Sequence, residues 1–165
     1  MAGILQPSEL DNLKSEAKKI INYGGLSSGM AELRTIILDS HFFIEELLIS
    51  CLTKKFFQIA HHNRTKQGYN PSFLLFKDAI SKFVEDIVFL KLVETAKDIE
   101  VIDEELKRKL RSINRARVVF AHPRGEDYKN FENDEEMTKW LLSTILEVLK
   151  QLANIDRGFG INEYK

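Results

Sequence analysis

The sequence predicts an all-α protein, a bundle of five to six helices, and three observations support this. Apolar residues recur at spacings of three and four along most of the chain. Only 8 of the 165 residues are glycine and 3 are proline, so few points interrupt a helix. No stretch shows the strict alternation typical of strands. With 44% hydrophobic residues the chain is most simply one domain of residues 1–165, with a core at about 8–154 and an irregular tail at 155–165.

The first helices are predicted by apolar stripes and by the residues at their ends. A first helix begins near Pro7–Ser8 and ends at Gly24–Gly25, because proline suits the first turn and glycine suits the C-terminus. A long central helix follows at about residues 28–60, with its apolar residues on one face. The polar stretch HHNRTKQGYN (61–70) then predicts a loop.

Two more helices are predicted, one before and one after a basic segment at residues 103–122. Pro71 can begin a helix that continues, with or without a break, to about Asp98. The last helix is predicted to begin at Asn133, which is followed three residues later by Glu136 in the pattern of a capping box. Its apolar stripe continues to about residue 152.

The predicted helix at residues 103–122, called the basic helix below, holds the most unusual pattern. Asp103 is a good N-cap residue, and Pro123 ends the helix because the residue before a proline is pushed out of the α region. His122 is therefore expected at the helix C-terminus. Four apolar residues form a stripe that should face a core, Leu106, Leu110, Ile113 and Phe120.

Arg117 lies inside that apolar stripe, where the pattern asks for a hydrocarbon. An unpaired charge in a core costs several kcal/mol by the usual estimates. Arg117 therefore either pairs with a carboxylate or faces a cleft. The candidate partners on the long central helix are Asp39, Glu45 and Glu46.

Positive charge is concentrated in this one region of a chain whose net charge is −1. Between Asp103 and Arg124 there are seven basic residues, and the three acidic residues all lie in the first turn. Arg108, Arg111 and Arg115 share a face opposite the apolar stripe, which is typical either of an ordinary solvated surface or of one that contacts phosphates. Any contact with nucleic acid is expected to be local, because the whole chain is nearly neutral.

The stretch INRARVVFAHP (113–123) resembles the signature of the HEPN domains, a superfamily of small helical bundles named for higher eukaryotes and prokaryotes nucleotide binding. The matching residues are Ile113, Asn114, Arg117, Ala121 and His122. The order of segments is also similar from about residue 29 to 150. The shared order begins with a long helix and a segment like FLLFKDAI. The motif at a helix end follows, and then a proline and a phenylalanine before the last helix.

The resemblance implies a metal-independent endoribonuclease of the toxin, defence or RNA-processing kind, which acts at a homodimer cleft. It implies Arg117 and His122 as catalytic residues, with Asn114 and Arg115 in support. Arg115 also satisfies the spacing to His122 that the family permits. Three arginines are candidates for contacts with RNA, Arg108, Arg111 and Arg124. The apolar stripe that Arg117 interrupts would then line the subunit interface.

A catalytically silent HEPN-like module is the alternative, binding a nucleotide or a protein partner such as an antitoxin or a nucleotidyltransferase. Val118 favours it, because catalytic members of the family usually carry a polar residue after the arginine. The intact arginine and histidine favour the enzyme. Histidine titrates near neutral pH and can move a proton, and arginine can grip two phosphate oxygens.

Neither a metal nor another cofactor is expected. His61 and His62 have no companion ligands at suitable spacing, and Cys51 lies on an apolar stripe with no basic neighbour that would lower its pKa. His41 is expected to border the core or the cleft, where a supporting role is open. No apolar run is long enough for a membrane span, and no signal peptide is seen, so a cytoplasmic location without membrane association is expected.

Overall fold

Six α-helices form the described part of the chain, which has no strand, and this confirms the predicted all-α bundle. The structure, a computed structural model, describes residues 30–65 and 72–160 together with residues 8, 11, 12 and 15. The helices are α1 (Met30–Thr65), α2 (Phe73–Glu85), α3 (Phe89–Asp98), α4 (Glu104–Ala121), α5 (Glu126–Asn133) and α6 (Glu135–Gly158). The predicted basic helix is α4.

The long helix α1 is the centre of the bundle, and α2, α3, α4 and α6 all pack against it. The core is formed mainly where α1, α4 and α6 meet. Its largest fully buried side chains come from these helices and from α3: Ile37, Ile44, Leu48, Leu52, Leu92, Leu110, Ile113, Phe120, Leu141, Leu142, Ile145 and Leu149. In the described part of the chain, none of the helices combines the length and the apolarity that a membrane crossing requires.

Two predicted helix ends were wrong. The loop predicted at residues 61–70 begins later, because α1 continues to Thr65. Extending an existing helix adds one hydrogen bond per residue, so an exposed polar end can remain helical without a favourable sequence. Likewise α6 continues to Gly158, so the tail predicted at 155–165 is helical in its first residues. The first predicted helix and residues 66–71 lie outside the described residues, except that residues 8, 11, 12 and 15 are helical.

The connection from α4 to α6 contains the short helix α5, which was not predicted. Phe120 of α4 meets the rings of Tyr128 and Phe131 with centroids at 5.3 and 5.0 Å, so α5 is held by aromatic packing. The N-cap of α6 is Asp134 rather than the predicted Asn133, because the Asp134 carboxylate accepts a hydrogen bond from Met137 N at 2.9 Å. The sequence left open whether the helix from Pro71 to about Asp98 is broken, and the structure has a break between α2 and α3 at residues 86–88.

Candidate functional site

The helix that carries the motif has the ends and the buried face that the sequence predicted. Asp103 caps α4 by accepting a hydrogen bond from Leu106 N at 2.7 Å, and His122 is the C-cap residue. The four apolar residues of the stripe are all buried within the chain itself. The expectation that this stripe lines a subunit interface is therefore wrong. A subunit contact would have to use the exposed residues beside it.

Arg117 is half-buried on the side of α4 that packs on α1. Its Nε is fully buried and has no hydrogen-bond partner. None of the carboxylates in the described part of the chain lies within the 4.0 Å of its guanidinium that would make an ion pair. The alternative in which Asp39, Glu45 or Glu46 forms a salt bridge with Arg117 is therefore not what the structure contains. The guanidinium keeps a buried donor that no group in the described chain satisfies.

His41 and Asn114 meet across the same seam, and together with Glu45 and Arg117 they are called the α1–α4 cluster below. His41 Nε2 lies 3.2 Å from Asn114 Oδ1, and the imidazole packs on the ring of Phe89 with centroids 4.3 Å apart. Asn114 is three residues before Arg117 on α4, so the two share one side of that helix. Glu45 follows His41 by one turn of α1.

The electrostatics of the α1–α4 cluster are set by burial and by Arg117. Burial, and next the Arg117 charge, lower the pKa of His41 to about 4, and the hydrogen bond with Asn114 only partly opposes this. His41 is therefore neutral at physiological pH. Burial raises the pKa of Glu45, while the charge of Arg117 acts against that shift. Both effects place the guanidinium within electrostatic reach of His41 and Glu45.

His122 lies at the exposed end of α4 and makes no side-chain hydrogen bond with any described residue. Its carbonyl oxygen accepts from Arg124 N at 2.8 Å and from Gly125 N at 3.4 Å, which fixes the turn after the helix. The structure shows no hydrogen bond between His122 and Arg117. The two residues that the motif pairs therefore lie five residues apart, on α4 and at its C-cap, without a hydrogen bond between them.

Arg34 is a further residue that contacts this end of α4, and sequence reasoning missed it. Its Nε donates a hydrogen bond to Phe120 O at 2.9 Å, across the seam between α1 and α4. That carbonyl belongs to the last turn of α4, where acceptors lack partners within the helix and the helix dipole favours a cation. Arg34 thus places a second guanidinium at Phe120, which is two residues before His122 in the sequence. No periodicity within either helix could have revealed this pairing.

The arginines of the outer face are separated from the α1–α4 cluster. Arg108, Arg111 and Arg115 are all exposed, as predicted, and so is Arg124. Arg111 Nη2 lies 3.6 Å from Glu94 Oε1, and Arg108 Nε donates to the carbonyl of Glu104 one turn earlier. Arg115 lies on the opposite side of α4 from Arg117, because residues two positions apart are rotated by about 200° around the helix axis. The structure therefore brings Arg117, not Arg115, together with Asn114.

Exposed apolar side chains adjoin the α1–α4 cluster. Phe42 follows His41 in sequence and is 52% exposed, and Val118 follows Arg117 and is 45% exposed. In the described part of the chain no three His, Cys, Asp or Glu side chains are grouped so as to hold a metal ion. Burial raises the pKa of the Cys51 thiol to about 12, which makes it a poor nucleophile.

Comparisons with known proteins give no match to a family model, to a curated protein or to a solved structure. The resemblance to HEPN domains therefore stays a prediction that depends on residues 113–123 and on the order of the segments.

Proposed function

We propose that the protein is a HEPN-like, metal-independent endoribonuclease of the toxin, defence or RNA-processing kind. The observation that carries this proposal is the buried Nε of Arg117, which has no hydrogen-bond partner. Leaving such a donor unsatisfied costs about 1 to 3 kcal/mol, so a protein without use for it would be expected to lose it. Nε itself is closed to solvent, whereas Nη1 and Nη2 of the same guanidinium are not among the buried unpaired atoms of the described chain, so they are the donors that a phosphate oxygen could reach.

Arginine suits the phosphate of an RNA backbone for two reasons. Its guanidinium is planar, stays protonated, and can donate to two oxygens at once. Charge grows on the non-bridging oxygens as the 2′-oxygen attacks phosphorus, and a donor already in place stabilises that charge without reorganisation. Arg117 is partly shielded from water, and this strengthens the interaction.

His122 is the proposed proton-transfer group. In the cleavage step the 2′-hydroxyl loses its proton, its oxygen bonds to phosphorus, and the bond from phosphorus to the 5′-oxygen breaks as that oxygen gains a proton. The products are a 2′,3′-cyclic phosphate and a 5′-hydroxyl, and no metal is required. An exposed imidazole can take the first proton or give the second. Such help is worth about 10²- to 10⁴-fold in rate.

A homodimer completes the proposed site, because the resemblance implies two facing copies. Phe42 and Val118 are the exposed apolar residues next in sequence to cluster residues, and we assign them to that contact. A two-fold interface uses the same patch on both subunits, so these side chains would surround the paired clusters. Light scattering at micromolar concentration should show a dimer, and a strict monomer would contradict the shared cleft.

A silent module that binds a nucleotide, an antitoxin or a nucleotidyltransferase is the second candidate. It is favoured by the exposed Val118 beside Arg117 and by the lack of a hydrogen bond between Arg117 and His122. In that case the guanidinium would bind a carboxylate or phosphate of the partner and no bond would be cleaved.

Cleavage of single-stranded RNA by the purified protein separates the two candidates. We expect cyclic phosphate products, unchanged rates in EDTA, and loss of about 10²-fold or more in His122→Ala. Arg115→Gln is the matched control, because it removes an exposed arginine two residues from Arg117. If the wild-type protein leaves the RNA intact, the ribonuclease proposal fails and the silent binding module remains. Activity abolished by EDTA would point to a different site.

A further inference from the structure

His41 is a polar residue in a place where packing alone would accept a hydrocarbon. Only 5% of its surface is exposed, and the contact with the Phe89 ring could be made equally by a phenyl group. Its polar contact in the described chain is the one with Asn114 Oδ1 at 3.2 Å. Buried polar groups in proteins are hydrogen-bonded, and the bond to Asn114 meets this requirement for the His41 imidazole.

The chemistry of that contact determines which ring nitrogen carries the proton. An amide oxygen can only accept, so His41 Nε2 must donate. In a neutral ring this leaves Nδ1 without a proton. The same hydrogen bond fixes the orientation of the Asn114 amide, with its oxygen turned toward His41 and its NH₂ turned away.

The NH₂ group of Asn114 is then free to bind a ligand. It makes no hydrogen bond to a protein group, and it is not among the buried atoms without a partner in the described chain, so it is open to solvent. Asn114 and Arg117 are one turn apart on the same side of α4. Two donors, one neutral and one charged, therefore lie side by side, and such a pair suits an anionic oxygen.

We propose that His41 is a positioning residue, which holds Asn114 so that its amide donates to a non-bridging oxygen of the scissile phosphate beside Arg117. This inference rests on the proposed ribonuclease function. It assigns Asn114 a direct contact with substrate, and it gives His41 a role that acts only through Asn114. His41 itself stays neutral, buried and out of contact with RNA.

Steady-state cleavage of a single-stranded RNA oligonucleotide tests both roles. In His41→Leu, kcat should fall about 10-fold or more with KM within about twofold, because a misplaced donor costs most in the transition state. His41→Gln should recover most of the activity, since its amide NH₂ can still donate to Asn114. Asn114→Asp should lose at least as much as His41→Leu, because the donor is replaced by an anion.

Thr53→Val is the control for disturbing a buried polar residue of α1 away from the cluster. The Thr53 hydroxyl donates to Ile49 O within the same helix at 2.8 Å, and its loss should leave kcat unchanged. Equal melting temperatures among the variants show that the fold is intact. A long-range ¹H–¹⁵N spectrum of the imidazole should show a protonated Nε2 and a bare Nδ1 for His41.

The outcomes separate this inference from the proposed function. If the wild-type protein cleaves RNA and His41→Leu is equally active, or if His41 carries its proton on Nδ1, the positioning role is overturned and the ribonuclease stands. If the wild-type protein does not cleave RNA, the proposed function fails and this inference fails with it. Loss in His41→Leu, rescue in His41→Gln and a protonated Nε2 together support it.

Discussion

Two cations lie at the two seams where α1 packs against α6 and α4, and their surroundings differ. Lys54 of α1 is 8% exposed at its side chain, and its Nζ lies 2.9 Å from Asp156 Oδ2 on α6. The other oxygen of Asp156 accepts from Ser50 Oγ at 2.6 Å. Arg117 of α4 meets α1 with a buried Nε and no partner. Lys54 is thus paired within the chain, and Arg117 is left with an unpaired donor in the described part of it.

We interpret this difference as one between a charge that stabilises the bundle and a charge that we propose serves a ligand. A buried charge must be paired or it costs several kcal/mol, and Lys54 meets that requirement with a residue about 100 positions away in sequence. Arg117 leaves one donor unpaired in the described chain, and its charge acts on His41 and Glu45 across the seam. We attribute the first arrangement to the stability of the bundle and the second to binding.

The largest effect on stability is expected at the satisfied seam. Lys54→Met should lower the free energy of unfolding by about 2 to 3 kcal/mol, because Asp156 loses its cation. This is less than for a fully buried pair, since Asp156 is 19% exposed. Urea denaturation measures it, with Lys55→Met as the neighbouring control. If Lys54→Met and Lys55→Met are equally stable, the pair does not stabilise the bundle.

A second effect should appear on acidification, and it comes from His41. Its pKa is about 4 in the folded protein and 6.5 when unperturbed, so the unfolded chain binds more protons between these values. Stability should therefore fall as pH falls through this range, by about 2 kcal/mol between pH 7 and pH 4.5. The raised pKa of Glu45 acts in the opposite direction.

The variant His41→Gln isolates this contribution, because it keeps Glu45 and removes the imidazole. Urea unfolding at the two pH values should show a smaller loss in His41→Gln than in the wild-type protein. Parallel losses in the two proteins would mean that His41 is not buried in its neutral form.

A smaller effect is expected from Arg34, a cation that does have a partner at the α1–α4 seam. Arg34→Gln removes the hydrogen bond to Phe120 O and a favourable charge at the end of α4, which is worth about 0.5 to 1 kcal/mol. Thermal unfolding should show a lower melting temperature than in Arg115→Gln, whose side chain is exposed on the outer face. An unchanged melting temperature in Arg34→Gln would make this cap unimportant.

Helical periodicity was enough to predict most of the fold and where the candidate site residues lie on α4. It predicted the buried stripe of α4, the Asp103 cap and the position of His122 at the helix end. It missed α5, because the segment EDYKNFEN has only Tyr128 and Phe131 as apolar positions, and these are held by contacts with Phe120. Short helices stabilised mainly by tertiary contacts leave little signal in sequence.

The contacts between helices could not be predicted from the same signal. Arg34 pairs with Phe120, and His41 with Asn114, across 86 and 73 residues of sequence. Periodicity tells which face of a helix is buried, but not which turn of one helix meets which turn of another. For that reason the sequence left Arg117 with two alternatives, a salt bridge or a cleft, and the structure excludes the salt bridge to Asp39, Glu45 or Glu46.

The free energy of unfolding of Arg117→Gln, measured together with its RNA cleavage, tests the central claim most directly. If Arg117 is unpartnered and serves a ligand, stability should stay within about 0.5 kcal/mol of the wild-type protein or rise, because an unsatisfied buried donor is removed. Cleavage should fall about 10²-fold or more, as for loss of a transition-state donor. A protein destabilised as much as Lys54→Met, with cleavage or RNA binding unchanged, would contradict the account and make Arg117 a structural residue.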